Sequence, residues 1–154
     1  MEAIDDVVTR WKANHLSLNP PASAKDLARL EAELGCPLPE DVRTYFSLAD
    51  GMADGEYEEE TFVALWPIRK IVTENEGPDG AWRKSGKDAL GEFRDLGFAD
   101  FSIHASFICF RMRPSSGLAI HVEQADLELP SLESFFRRYL DDPDSLDLLD
   151  LRDK

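Results

Sequence analysis

Carboxylates have the greatest scope for chemistry in this chain. From Asp54 to Glu60 the sequence reads Asp-Gly-Glu-Tyr-Glu-Glu-Glu, five acids in seven residues with Tyr57 at the centre. Such a run is either a solvated loop or a surface that meets a basic partner. In the second case Asp54, Glu56, Glu58, Glu59 and Glu60 supply the field, and Tyr57 supplies a stiff aromatic anchor of the kind enriched at binding hot spots. Acids are so frequent elsewhere that chance pairs are expected, so pairing alone does not indicate general acid–base catalysis. Asp100 stands apart because it lies between Ala99 and Phe101 at the entry to an apolar stretch. It reads first as a turn or cap residue and second as a general base or binding hot spot.

The other reactive side chains lack the spacing their chemistry requires. His15, His104 and His121 show no metal-ligand pattern. His104 and His121 can face each other across neighbouring strands near Cys109, but a zinc site there lacks a fourth ligand. Cys109 sits in the run Phe107-Ile108-Cys109-Phe110, where apolar surroundings raise a thiol pKa and leave it inert. Cys36 lies between Gly35 and Pro37 with no adjacent base. The glycine pairs Gly77/Gly80 and Gly51/Gly55 are accompanied by acids where a phosphate cradle needs Lys or Ser. The expectation is a protein without catalytic residues, metal or cofactor.

Charge narrows the partner. Across 154 residues, 17 Lys and Arg face 31 Asp and Glu, a formal net charge of −14. That field repels nucleic-acid backbones and anionic membranes, and it steers a basic protein towards the surface. The chain itself is expected to be a monomer or weak homodimer. Glu2, Asp5 and Asp6 stand where a signal peptide needs a basic start. No apolar run reaches the roughly 18 residues of a membrane span. A cytoplasmic protein with reduced thiols is expected.

The elements that must position these residues follow from periodicity. Ile4, Val7, Val8 and Trp11 make a first amphipathic helix. Ser23 caps a second, with Asp26 three positions on as a capping-box-like partner, Leu27, Leu30 and Leu34 as its stripe and Gly35 as its stop. Pro39 opens a third, where Glu40 and Asp41 favour the helix dipole and Val42, Tyr45 and Phe46 turn inward; the second and third helices are expected to pair as a hairpin. Thr61 to Trp66 reads as a strand, with Trp66 in the core. Pro67 to Val72 reads as a short helix, Glu76 to Gly86 as a loop exposing Trp82 as a further anchor, and Asp88 to Leu96 as a helix ending at Gly97. Phe98 to Met112 is the strongest β region, with Phe101 and Ile103 alternating and Phe107 to Phe110 a central strand. Leu118 to Val122 returns as its hairpin partner. Leu132 to Leu140 is a closing helix capped by Ser131, ended by Pro143 and followed by an acidic tail. Segregated helices and strands argue for one α+β domain over 1–154, with a twisted mixed or antiparallel sheet flanked by N-terminal helices and a C-terminal helix.

One segment is more specific than its chemistry. The pattern Pro21-Ala22-Ser23…Leu30-Glu31…Leu34-Gly35…Leu38-Pro39-Glu40-Asp41…Tyr45-Phe46…Asp50-Gly51 resembles the opening of the SUKH superfamily. That group includes the fungal Smi/Knr cell-wall assembly regulators and many small bacterial proteins. Leu65-Trp66-Pro67-Ile68, Phe98-Ala99-Asp100 and Leu132-Glu133-Ser134-Phe135-Phe136 are similar to its later elements and follow in the same order. The resemblance spans roughly residues 20 to 142, with 143–154 as a tail. It implies an α+β protein-binding module without shared catalytic residues. The bacterial members imply immunity proteins that neutralise toxins, many of them nucleases. The acidic run would then occupy a basic cleft, with Asp54, Glu56, Tyr57, Glu58, Glu59, Glu60, Trp82 and Asp100 as partner contacts. The Smi/Knr branch implies the alternative, a regulatory or scaffolding module of cell-envelope or signalling processes.

Overall fold

A computed structural model describes residues 1–75 and 84–148. Helix α1 (Glu2–Ala13) forms on the expected stripe, and Ile4, Val7, Val8 and Trp11 are all buried. Helix α2 (Ala24–Leu34) starts where the Ser23 hydroxyl accepts the Asp26 amide at 3.1 Å. It ends where Gly35 takes φ +74, beyond the usual range of an L-residue. The guanidinium of Arg94 then donates to the Glu33 and Leu34 carbonyls at 3.2 and 2.8 Å, a cation at the negative end of the helix.

Helix α3 (Glu40–Leu48) buries Val42, Tyr45 and Phe46. It does not form the expected hairpin with α2. The Glu31–Arg43 ion pair joins their rims, but α3 packs on α1 and α2 packs on α4 (Ile68–Glu74). The connection length permitted a hairpin; the direction of each apolar stripe decided otherwise.

Carboxylates cap helices to which they do not belong. The Asp41 carboxylate accepts the Glu133 amide at the start of α5 (Leu132–Asp141). Glu133 in turn accepts the Ala3 and Ile4 amides of α1 at 2.7 and 3.2 Å. Asp50 accepts the Ile68 amide of α4 at 2.8 Å, where Pro67 offers no side-chain cap. Each satisfies orphan donors at a positive helix end. Asp41 therefore serves α5 as well as its own helix.

Among the described residues six strands form one antiparallel sheet. They are β1 (Val63–Leu65), β2 (Lys84–Asp88), β3 (Gly91–Phe101), β4 (Ser106–Arg113), β5 (Gly117–Val122) and β6 (Leu127–Leu129). The order is β1-β3-β4-β5-β6, and β2 also pairs with β3 along its first half. Two expectations fail here. Of the expected loop, residues 76–83 lie outside the described residues and Lys84 to Gly86 belong to a strand; residues 88–96 form a hairpin turn and strand, not a helix. The Asp88 carboxylate accepts the Leu90 amide and closes the turn. Phe93 lies over Gly86, where a Cβ would come within 2.7 Å of the ring. Strand pairing outweighs the helix-compatible composition. A bulge between Gly97 and Ala99 is held by buried Asn75, whose side-chain amide both donates to the Gly97 carbonyl and accepts from its amide.

One sheet face packs on helices through Phe98, Phe110, Phe135 and Phe136, and Trp11 and Tyr45 extend this core between the helices. Phe107 to Phe110 form a buried central strand as expected. Ser131 and Ser134 make a reciprocal capping box for α5. Beyond it a 3₁₀ turn, Pro143–Leu146, docks Leu146 and Leu148 in the core. Residues 149–154 of the acidic tail lie outside the described residues.

The other face carries an ionic lattice. Arg113 forks to Asp88 at 2.7 and 3.0 Å and to Glu128 at 2.7 and 2.9 Å. Arg111 grips Asp95 at 2.7 and 2.8 Å and stacks on Phe93 at 3.8 Å. Arg113 holds the Asp88 and Glu128 carboxyls below their ordinary range. Their contribution is complete above the ordinary carboxylate pKa of about 4 and is lost as pH falls through the lowered folded values. Burial raises the Asp50 carboxyl, so its penalty is relieved as pH falls, the opposite sign. Urea midpoints measured downward from pH 6 should therefore fall in wild type, and Arg113→Met should flatten or invert that acid limb. An unchanged acid slope in the variant would show that the lattice carries none of the pH dependence.

Candidate protein-binding edge

The acidic run leaves α3, passes α1 and enters β1. Its centre is fixed by an internal carboxylate. Glu58 is 1% exposed. Its carboxylate meets Arg10 of α1 at 2.9 and 3.0 Å, accepts the Thr61 hydroxyl at 2.9 Å and accepts the Tyr139 hydroxyl of α5. Burial and the Glu58 charge push the Tyr139 hydroxyl well above its usual pKa, so it stays protonated and donates. The Glu58 amide donates to the Val63 carbonyl at 2.8 Å, and the Phe62 amide donates back to Glu58 at 2.7 Å. The loop is thereby tied to both helices and to β1.

Pinning Glu58 inward turns its neighbours outward. Asp54 and Glu59 are exposed, and Glu56 and Glu60 are half-buried. Glu60 pairs with Arg10 at 2.8 Å, and Asp54 lies 3.4 Å from Arg69. Tyr57 is 37% exposed and stacks on Phe62, with ring centroids 6.0 Å apart. A cleft of about 530 Å³ lies between residues 55–60 and the end of α1 at Ala13 to Leu16.

The β3–β4 turn is bonded to Phe62, the residue that leads from this loop into β1. Ser102, Ile103 and His104 all take positive φ, between 55 and 64°. Ile103 therefore does not alternate along a strand as the sequence suggested; it stands at the tip, 77% exposed. Three bonds fix the turn. The Ser102 amide donates to the Phe62 carbonyl at 2.8 Å, the Ala105 amide to Phe101 at 3.1 Å, and the His104 amide to the Asp100 carboxylate at 3.3 Å. Asp100 also accepts the Trp66 indole N–H at 2.7 Å. Lys70 lies 4.9 Å above the Trp66 ring.

Two expected contacts are thus corrected. Glu58 and Asp100, at 1% and 4% exposed, hold the loop and the turn from within and offer a partner no side-chain surface. Asp100 fills the turn role that its position first suggested, and Trp66 is buried as expected. Trp82 lies outside the described residues. The sequence reading missed Arg10, Thr61 and Tyr139 as anchors. The one local signal was Arg10 at i+3 from Val7, on the rim of the apolar stripe of α1.

The remaining reactive groups stay apart. His121 pairs across strands with Cys109 and lies between Asp95 and Asp126, while His104 packs beside Trp66 and Phe107. Among the described residues no group of His, Cys, Asp or Glu is placed to hold a metal ion. Burial raises the Cys36 and Cys109 thiols and disfavours thiolate at both. No helix among the described residues is long and apolar enough to cross a membrane.

No curated protein matches the chain. A sequence model of the SMI1 / KNR4 family (SUKH-1) matches residues 21–138, from the start of the capped α2 segment into α5. That span contains the capping residues Asp41, Asp50 and Glu133, the acidic loop and the whole sheet. The antiparallel α+β architecture agrees with the resemblance seen in the sequence, and the chain belongs to the SMI1 / KNR4 family (SUKH-1), whose membership is compatible with immunity or Smi1/Knr4-type roles in protein–protein interaction.

Proposed function

We propose that this chain is a bacterial immunity protein that binds a basic, nuclease-type toxin domain and neutralises it by occlusion. The supporting observation is the attachment of the acidic loop. Exposed acids on a free loop would lose their conformational freedom on binding; here Glu58, Arg10, Thr61 and Tyr139 have already fixed it. The net charge of −14 adds long-range attraction for a basic partner. The protein acts by binding alone, in the cytoplasm, without cofactor.

The test is co-expression with the product of the gene immediately upstream, scoring growth with and without this chain. Toxicity relieved by this chain through a purified complex is the expected result. A harmless neighbour, or no complex, would overturn the proposal and favour a regulatory module of envelope or signalling processes. Within such a complex, Asp54→Lys combined with Glu59→Lys should slow association about tenfold at low salt and much less at high salt. Both side chains are exposed, so the fold should be unaffected. Unchanged association at low salt would remove the loop from the encounter surface.

A further inference from the structure

We propose that the partner docks on the edge where the acidic loop meets the β3–β4 turn, with Ile103 as the apolar anchor and the acids as its rim. This deepens the proposed binding function and rests on it. Ile103 and Leu90 are the two most exposed large hydrophobic residues described, at 77% and 69%. Their surroundings differ. Leu90 tips the β2–β3 turn beside a strand bearing Lys84 and Lys87. Ile103 tips a turn whose Ser102 amide bonds the carbonyl of Phe62, two residues past the acidic run, and Phe62 stacks with exposed Tyr57 of that run.

The turn is an unfavourable place for isoleucine. Left-handed backbone crowds a β-branched side chain, and three such residues in succession persist only where neighbours hold them. Asp100, Phe101 and Phe62 do so, and Trp66 holds Asp100 in turn. Asn suits that backbone better and would spare the exposed apolar surface. Isoleucine here presents a rigid apolar knob at a cost to stability.

An apolar anchor within a polar rim is the usual anatomy of a tight protein interface. Glu56 and Glu59 give this rim its negative charge, while Asp54 and Glu60 face Arg69 and Arg10 of the same surface. The complementary surface is a basic protein with an apolar pocket ringed by Lys and Arg. A nucleic acid would meet the same acids and be repelled.

Ile103→Asn separates anchoring from folding, because Asn relieves the backbone crowding while removing the anchor. Binding of purified variants to the upstream gene product would be measured by surface plasmon resonance, with thermal midpoints in parallel. Ile103→Asn should hold or raise the thermal midpoint yet weaken binding at least tenfold, mainly through faster dissociation. Leu90→Asn should leave affinity within twofold. If wild type binds and Ile103→Asn binds within twofold of it, or if Leu90→Asn weakens binding equally, the docking edge is wrong while the proposed function stands. If wild type itself neither binds nor relieves toxicity, the proposed function falls and this face falls with it.

Discussion

Glu58→Ala should destabilise the protein by about 3–5 kcal/mol, the usual cost of removing one partner from a buried ion pair. The variant takes a partner from Arg10, Thr61 and Tyr139. Arg10 keeps Glu60 but loses the carboxylate on its more buried side, and the Tyr139 hydroxyl loses its strong acceptor. A domain of this size holds only about 5–15 kcal/mol in total, so the loss would appear plainly as a lower urea midpoint at unchanged m. Glu58→Gln should cost less, since its amide oxygen can still accept from Thr61 or Tyr139. The decisive control is Arg10→Met combined with Glu58→Leu. Replacing both charges with apolar side chains should recover much of the loss, because neither variant side chain leaves a buried charge unpaired. Full stability in Glu58→Ala would mean that the loop is not anchored through this carboxylate. Partner binding should weaken in Glu58→Ala even where the protein remains folded, because the loop would have to be ordered on contact.

Glu58 also shows where sequence reading stops. Within the acidic run it looks the same as Glu56 or Glu59; its burial is decided by Arg10, forty-eight positions away, and by Tyr139, eighty-one away. Local signals were reliable where local physics decides. The stripe of α1, the Ser23 and Ser131 caps, the left-handed Gly35 and the apolar strand at Phe107 to Phe110 were all legible. Residues 88–96 misled because Glu92, Phe93 and Leu96 suit a helix, whereas Phe93 finds Gly86 and Arg111 across the sheet. Asp41, Asp50 and Glu133 fall in segments that carry the family resemblance, yet their tertiary capping cannot be read from those segments. The exposed turn had no signal either: Ser102-Ile103-His104 has no glycine to announce a left-handed backbone, and it extended the alternation of the strand before it.

Gly51→Ala is the second large effect, at about 3 kcal/mol or more, from a left-handed backbone penalty and overpacking against atoms that cannot move aside. Gly51 has φ +68, and a Cβ there would lie 2.5 Å from the Trp66 carbonyl carbon and 2.6 Å from the Pro67 nitrogen. These are backbone atoms at the junction of β1 and α4. Its neighbours hold that junction together: Asp50 caps α4 through the Ile68 amide, and the Met52 amide donates to the Leu65 carbonyl at 2.8 Å. A methyl group at position 51 must therefore displace the chain segment that carries Trp66. Gly55→Ala isolates the backbone contribution, because Gly55 has φ +83 with nothing within 4 Å of its Cβ position. It should cost only about 1–2 kcal/mol. Equal losses in urea denaturation would refute the close-packing account. The comparison also reaches the proposed docking edge. Trp66 holds Asp100, and Asp100 holds the turn that presents Ile103, so Gly51→Ala should speed dissociation from the partner although Gly51 is buried. Gly55→Ala lies within the acidic loop itself, beside the proposed contact, and should disturb that turn less.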